Sequence, residues 1–359
     1  MRAVWYDTFG GPVSVREVSS PRPAPHAAVV EVAATGVCRS DWHAWQGHDS
    51  DVRLPHVGGH EFAGVVVEVG ADVRGWRPGQ RVTAPFVHAC GTCAQCARGD
   101  HQICARQTQP GFTGWGSFAE YAVVDHADVN LVLLPDALEF TTAAGLGCRF
   151  GTAYRAVLRQ GRVGAGDWVA VHGCGGAGLS AVEVAVAAGA RVVAVDVSAA
   201  ALDLARALGA AEVVDASVDP EPAAVASVVH DLTGGGARVS LDCLGSPRTC
   251  EASVLGLARG GRHVQVGLLP GGPTPVPMDR VVAYELDVVG SHGLAAHEYP
   301  AMLDLVAAGR LRPDRLVGTL IDLADVPHAL AAMSPGGVPG DLPGVPGVSG
   351  AGMTVAVLH

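Results

Sequence analysis

Trp168-Val-Ala-Val-His-Gly173-Cys-Gly175-Gly176-Ala-Gly178 runs an apolar stretch directly into a G-x-G-x-x-G turn, and small apolar residues follow at helical spacing over 177–188. A glycine run alone is weak evidence. Here strand, turn and helix stand in order: the glycines permit a tight turn and a close backbone approach, and a pyrophosphate can sit at the helix N-terminus. Gly173, Gly175, Gly176, Ala177 and Gly178 are therefore predicted to cradle a dinucleotide. Asp196 ends the next strand, where a carboxylate accepts hydrogen bonds from both ribose hydroxyls and repels a 2′-phosphate, so NAD is the expected cofactor.

Working outward, strand candidates at 168–172, 191–196, 212–214, 239–242, 263–266 and 287–290 alternate with helical segments. That alternation predicts a Rossmann-type, doubly wound parallel sheet over about 150–290, opened by a helix at 150–160. The preceding half differs. Short β runs at 29–34, 62–69, 81–85 and 117–124, broken by Gly and Pro, predict a β-rich domain over 1–149. A helix near 297–308 and strands near 316–321 and 354–358 are expected to return to it, so that 291–359 completes the first domain. The segment 334–352 is rich in Pro and Gly and reads as a loop without a catalytic role.

Composition narrows the chemistry. With 49% hydrophobic and 16% charged residues in 359, the chain can bury a large core. A formal charge of −11 without any basic run argues against a nucleic-acid partner. All of the Lys+Arg count is Arg, which excludes Schiff-base catalysis and a phosphate-loop lysine. No signal peptide or membrane-length apolar run is evident, and nine cysteines, four of them crowded together, fit a reducing compartment, so a cytoplasmic protein is expected.

Cys90-x2-Cys93-x2-Cys96-x7-Cys104 places four thiols where short loops can turn them onto one centre. A closed, structural zinc site is the expected reading. Two disulfides suit a reducing compartment poorly, and iron–sulfur ligation stays open as an alternative although this spacing differs from ferredoxin runs.

Gly36-Val-Cys-Arg-Ser-Asp-Trp-His43 and Gly59-His-Glu-Phe-Ala-Gly64, together with Cys90 to Cys104 and Cys148, resemble the zinc-containing medium-chain alcohol dehydrogenases. The resemblance spans nearly the whole chain, to about Ala332. It implies a chaperonin-10-like catalytic domain interrupted by the Rossmann domain, and two zinc ions per chain. Cys38, His60 and Cys148 would hold the catalytic one, its fourth position left to water or the alcohol oxygen. Asp41 would accept the free imidazole N–H of His60, with Glu61 behind the metal. The metal would act as a Lewis acid on the alcohol; Ser40 would take the released proton, and His43 would pass it on to solvent. Arg39 would pair with the pyrophosphate, Thr152 would touch the nicotinamide, and Gly267, Leu268 and Ser291 would meet its carboxamide.

The reaction so implied is reversible NAD-linked oxidation of an alcohol to an aldehyde or ketone. A polyol or amino-alcohol dehydrogenase of the same fold is the alternative, and a non-catalytic zinc and nucleotide binding protein a more distant one. The short stretch from Cys104 to Cys148 resembles the tetrameric microbial branch, so a homotetramer is expected, with a dimer as the other option. Trp42, Trp45, Phe86 and Trp115 are candidates to line the substrate pocket, and Cys174, Cys243 and Cys250 read as small core residues.

Overall fold

The computed structural model describes residues 1–269, 272–334 and 352–358. The chain forms two compact units: Met1–Gly151 with Gly293–Leu303 and Val317–His359, and Thr152–His292 with Asp304–Leu316.

In the first unit β1 (Arg2–Tyr6) and β2 (Val13–Glu17) make an antiparallel ribbon. The framework of the metal-ligand candidates comes from β3 (Ala28–Val37), β4 (Glu61–Val69), β5 (Arg81–Thr83), β6 (Tyr121–Val124) and β7 (Val132–Leu133). Apart from Glu31 and a half-buried Ala33, every residue of β3 is buried, because its apolar run is covered on both faces. Antiparallel pairing of β3 with β4 sets Gly36 opposite Glu61. The same register brings Cys38, just past the end of β3, beside His60, just before β4 begins.

The second unit holds β8 (Trp168–His172), β9 (Arg191–Asp196), β10 (Glu212–Asp215), β11 (Ala237–Asp242), β12 (Leu257–Gln265) and β13 (Asp287–Gly290), all parallel, in the order β10-β9-β8-β11-β12-β13. The order reverses between β8 and β11, and such a switch point is where open α/β sheets bind ligands. Val169, Ala170 and Val171 are fully buried, as a sheet covered by helices on both faces requires.

β14 (Val317–Asp322) and β15 (Met353–Val357) then return to the first unit, completing the path β14-β15-β3-β4-β5-β7 with β6 on β3. The β-rich first unit and the doubly wound parallel sheet of the second agree with the expected fold class. The segment Asp304–Leu316, expected with the first domain, packs instead with the second: the Arg312 amide donates to the buried Glu183 carboxylate and the Arg315 guanidinium to the Ala207 carbonyl. Residues 335–351 of the Pro/Gly-rich segment lie outside the described residues. Among the described residues, no helix is long and apolar enough to cross a membrane.

Candidate metal centres and nucleotide cradle

Cys38 stands at the N-terminus of the helix Arg39–Trp45, and Asp41, three residues on, reaches back to accept the Cys38 amide (2.9 Å). The other Asp41 oxygen accepts from His60 Nδ1 at 2.7 Å and from the Gly59 amide at 3.1 Å. Asp41 thus fixes the ring orientation and, in the neutral ring, leaves the lone pair on His60 Nε2. Burial lowers the His60 imidazole, but Asp41 and the Cys38 sulfur outweigh it and hold it well above its ordinary range, so a metal ion binds here by displacing the Nε2 proton. That Nε2 is buried and has no partner among the described residues.

Cys148 arrives from a π-helical turn, Leu146–Phe150, a local widening that recurs at functional sites. The Gly147 carbonyl anchors this turn by accepting the Phe86 amide (3.1 Å). One ligand atom from each of Cys38, His60, Glu61 and Cys148 lies within 4.8 Å of the others. The Cys148 thiol hydrogen-bonds the Cys38 sulfur, holding Cys38 well below the ordinary thiol range and Cys148 well above it. Two sulfurs, an imidazole lone pair and an apolar wall from Phe86 and Phe112, whose rings lie 6.1 and 5.2 Å from His60, match the donor chemistry of a zinc site.

Glu61 is engaged elsewhere. It is fully buried, and its carboxylate accepts the Arg149 amide (2.7 Å), Nε (2.8 Å) and Nη2 (2.5 Å). Burial raises the Glu61 carboxyl above its ordinary range, and the Arg149 cation opposes that rise. Gly36 makes room for the pair, since a Cβ there would fall 2.4 Å from Glu61 Oε2 and 2.6 Å from Arg149 Nη2. Sequence reading missed Arg149; its signal was a lone cation between Cys148 and Phe150 in an apolar run. Arg149→Met should leave Glu61 buried and unpaired and lower stability by about 3–5 kcal/mol, with Glu61→Gln in the same chain restoring part of it. Thermal unfolding of the two variants checks this; an unchanged midpoint for Arg149→Met would show that the pair contributes nothing.

Around the four-cysteine loop, Cys93 Sγ lies 3.4 Å from Cys96 Sγ and 3.7 Å from Cys104 Sγ. All four thiols are free, and four zinc–sulfur bonds of about 2.3 Å in a tetrahedron put sulfurs about 3.8 Å apart. The Thr92 amide and the Arg106 guanidinium hold Cys90 at about 5. The Cys90 and Arg106 amides donate to Cys104 Sγ at 3.3 Å each. These donors favour a thiolate on Cys90, whereas burial raises Cys96 and Cys104, a cost that a bound cation would offset.

In the second unit Gly173 has φ +86° and follows β8 directly. A Cβ at Gly178 would strike the Gly173 carbonyl at 1.8 Å, whereas one at Gly175 would meet nothing within 4 Å. Close packing on one side and open space on the other are what a pyrophosphate cradle needs, with Gly176 and Ala177 opening the helix Gly176–Ala187. Asp196 closes β9; its oxygens accept the Cys174 amide (2.5 Å) and the Ser198 amide (2.8 Å). Gly267 backs onto Gly245, where an added Cβ would lie 2.3 Å from the Gly245 nitrogen, and Leu268 is exposed. Thr152 Oγ1 and Ser291 Oγ are buried hydroxyls with no partner among the described residues, as hydroxyls awaiting a ligand would be.

Of the remaining candidates, Ser40 Oγ lies 3.8 Å from the Cys38 sulfur, and Arg39 donates to the Met333 carbonyl and covers the Trp42 ring. Trp42, Trp45 and Phe86 are buried, while Trp115 is 38% exposed and packs on Trp5. Cys174 and Cys250 are buried core residues, and Cys243 is half-buried.

A β domain with two clusters of metal-binding side chains, joined to a doubly wound nucleotide-binding sheet, defines the class of zinc-binding dehydrogenases. The model of the alcohol dehydrogenase GroES-like domain matches residues 24–136, and that of the zinc-binding dehydrogenase matches 176–308. An alcohol dehydrogenase of Geobacillus stearothermophilus is 34% identical over 91% of this chain and 95% of its own. Among solved structures, an alcohol dehydrogenase from Thermus sp. ATN1 superposes with TM-score 0.87 at 32% identity, covering all of both chains. A zinc-binding dehydrogenase from Sinorhizobium meliloti 1021 bound to NADP gives 0.84 at 30% identity over 99% of each chain. The chain belongs to the zinc-containing alcohol dehydrogenases of the medium-chain superfamily, oxidoreductases that interconvert alcohols and carbonyl compounds.

Proposed function

We propose that this chain catalyses the reversible oxidation of a small alcohol to an aldehyde or ketone with NAD, carrying two zinc ions. The observation that carries the reading is His60: its Nδ1 is held by Asp41 while its buried Nε2 faces no partner, beside the sulfurs of Cys38 and Cys148. Those three residues hold the catalytic ion, and Cys90, Cys93, Cys96 and Cys104 hold the structural one. When bound, the ion supplies Lewis acidity that brings a hydroxyl pKa from about 16 towards 7, and the nicotinamide supplies a hydride acceptor.

The chain's own residues do the rest. Asp41 keeps His60 in the tautomer that offers Nε2. Arg149 keeps the Glu61 carboxylate turned to itself by three hydrogen bonds. Ser40, two residues past Cys38, takes the hydroxyl proton, and His43 carries it away. Asp196 receives the adenosine ribose, and Thr152 and Ser291 offer their unpartnered hydroxyls to the nicotinamide end.

The test is turnover of primary, secondary, aromatic and polyhydroxy alcohols with NAD and with NADP, paired with metal analysis of the purified enzyme. Reduced nicotinamide and two zinc ions per chain are expected. Absence of turnover across the panel overturns the enzyme reading, and one ion or none in fully active protein overturns the two-site reading.

A further inference from the structure

The helix Arg39–Trp45 ends in a backbone device that folds the chain back on itself. Gly47 adopts φ +77°, its amide donates to the Ala44 carbonyl (3.1 Å), and the His48 amide donates to the His43 carbonyl (3.0 Å). These 5→2 and 6→1 bonds make a Schellman motif, which by its geometry lays the residue after the glycine against the residue five earlier. An apolar pair usually fills that contact; here two imidazoles do. His43 Nδ1 and His48 Nδ1 stand 2.9 Å apart, and the Trp42 indole packs edge-on against both rings, at 4.9 and 5.6 Å. Trp42 is itself pinned through Nε1 to Ser334 Oγ (3.1 Å). His43 is half-buried and His48 is exposed.

We propose that His48 is the solvent outlet of the proton path: His43 and His48 act as a proton-sharing pair, and a proton received by His43 leaves the protein from His48. The proposal rests on His43 being the base of the proposed reaction, and His48 acts through it as a positioning and exchange partner. A contact between two Nδ1 atoms holds one proton, so one ring donates and the other accepts. To accept at Nε2, His43 must carry its proton on Nδ1 and donate it to His48, which is then protonated on Nε2. A proton arriving at His43 Nε2 lets the shared proton cross to His48 Nδ1, and His48 releases its own Nε2 proton to water. One proton enters and one leaves, with no change in the pair's total. The pair is left in the opposite tautomer, which donates from His43 Nε2 in the reverse reaction. Reorientation of the two imidazoles between turnovers, with no proton released from His43 to water, restores the starting tautomer.

The electrostatics give His43 need of such a partner. Burial lowers the His43 imidazole below its ordinary value, His48 and Arg39 lower it further, and the negative charge of the Cys38 thiolate works against them. Asp41 is committed to His60, Asp49 follows His48 in the loop, and the packed helix Val326–Ala332 brings only His328 as a titratable side chain. Passing the charge on to an exposed ring removes it from this position.

The experiment compares alcohol oxidation by wild type, His48→Gln, His43→Gln and the double variant as zinc-loaded enzymes from about pH 6 to 10. His48→Gln should lower kcat about 3- to 10-fold below about pH 8, with the loss fading where hydroxide takes the proton and partly restored by added imidazole. The double variant should be no slower than His43→Gln, because the two residues act in series. A His48→Gln profile that overlies wild type, a loss uniform in pH, or multiplicative losses in the double variant would overturn the proposal. Imidazole ¹⁵N shifts give a readout independent of turnover. Removing His48 should move the His43 tautomer and titration, and an unmoved His43 would overturn the pair. If the wild type oxidises no alcohol, the dehydrogenase reading falls, while the nitrogen shifts still decide whether the pair shares a proton.

Discussion

Cys148→Ser should lower kcat for alcohol oxidation about 10³-fold or more while the protein stays folded. A Lewis acid contributes several kcal/mol of transition-state stabilisation, and each 1.36 kcal/mol is a factor of ten, so losing a correctly held ion removes about three powers of ten. The variant should also lose one of two zinc ions on metal analysis. Structural damage should be small, because the turn that carries Cys148 has its own supports: the Phe86 amide to the Gly147 carbonyl, and the Tyr299 hydroxyl to the Leu146 carbonyl at 3.0 Å.

Cys90→Ser should do the reverse. The four-cysteine loop has little regular structure beyond the short helix Ala94–Ala97 and a single 3-10 turn at His101–Ile103, so for the proposed structural ion metal binding and folding of this loop are one process. Its thermal midpoint should fall by much more than that of Cys148→Ser, and kcat per folded, zinc-loaded molecule should stay near wild type. Equal losses of activity and of stability in the two variants would remove the distinction between a catalytic and a structural ion.

Much of this architecture was legible in the sequence because it depends on short-range patterns. Alternation and glycine turns placed β8, β9 and β13 at their observed bounds. What failed depended on partners distant in the chain. The strand expected over 117–124 is regular only from Tyr121, because Ser117 and Phe118 hydrogen-bond to Gly59 and Gly58 instead of continuing along β3. β12 starts at Leu257 and not near 263, since pairing of Leu257 with Ala237 outweighs Gly260 and Gly261, which read locally as a turn. The Glu61–Arg149 pair required the β3–β4 register together with a π-helical turn that an apolar run does not announce. The His43–His48 contact is the opposite case: Gln46-Gly47-His48 after a helix is a local signal, readable from the glycine alone, and its chemistry appears only once both rings are placed.

On the proposed reading cofactor choice depends on one carboxylate, and Asp196 should make the wild type strongly prefer NAD over NADP. Its two oxygens are held by the Cys174 and Ser198 amides, so swinging the side chain aside to admit a 2′-phosphate would break both bonds. The next residue, Val197, is 64% exposed and offers no cation, and Ser198 is occupied in capping the helix Ala199–Ala207 through the Ala201 amide. Arg206, the nearest cation along that helix, forms an ion pair with Asp203 at 2.7 Å. A phosphate at this position would meet like-charge repulsion and displace the ribose hydrogen bonds. Two losses of about 1–3 kcal/mol each give roughly a 30-fold to 10⁴-fold preference. The NADP seen in the Sinorhizobium meliloti neighbour shows that this fold accommodates the other choice. Asp196→Gly combined with Val197→Arg should therefore weaken NAD use and admit NADP, by removing the negative charge and supplying a positive one. Specificity constants for both cofactors, measured on wild type and the double variant, decide it. Equal wild-type values, a wild-type preference for NADP, or a double variant with unchanged selectivity would take the role away from Asp196.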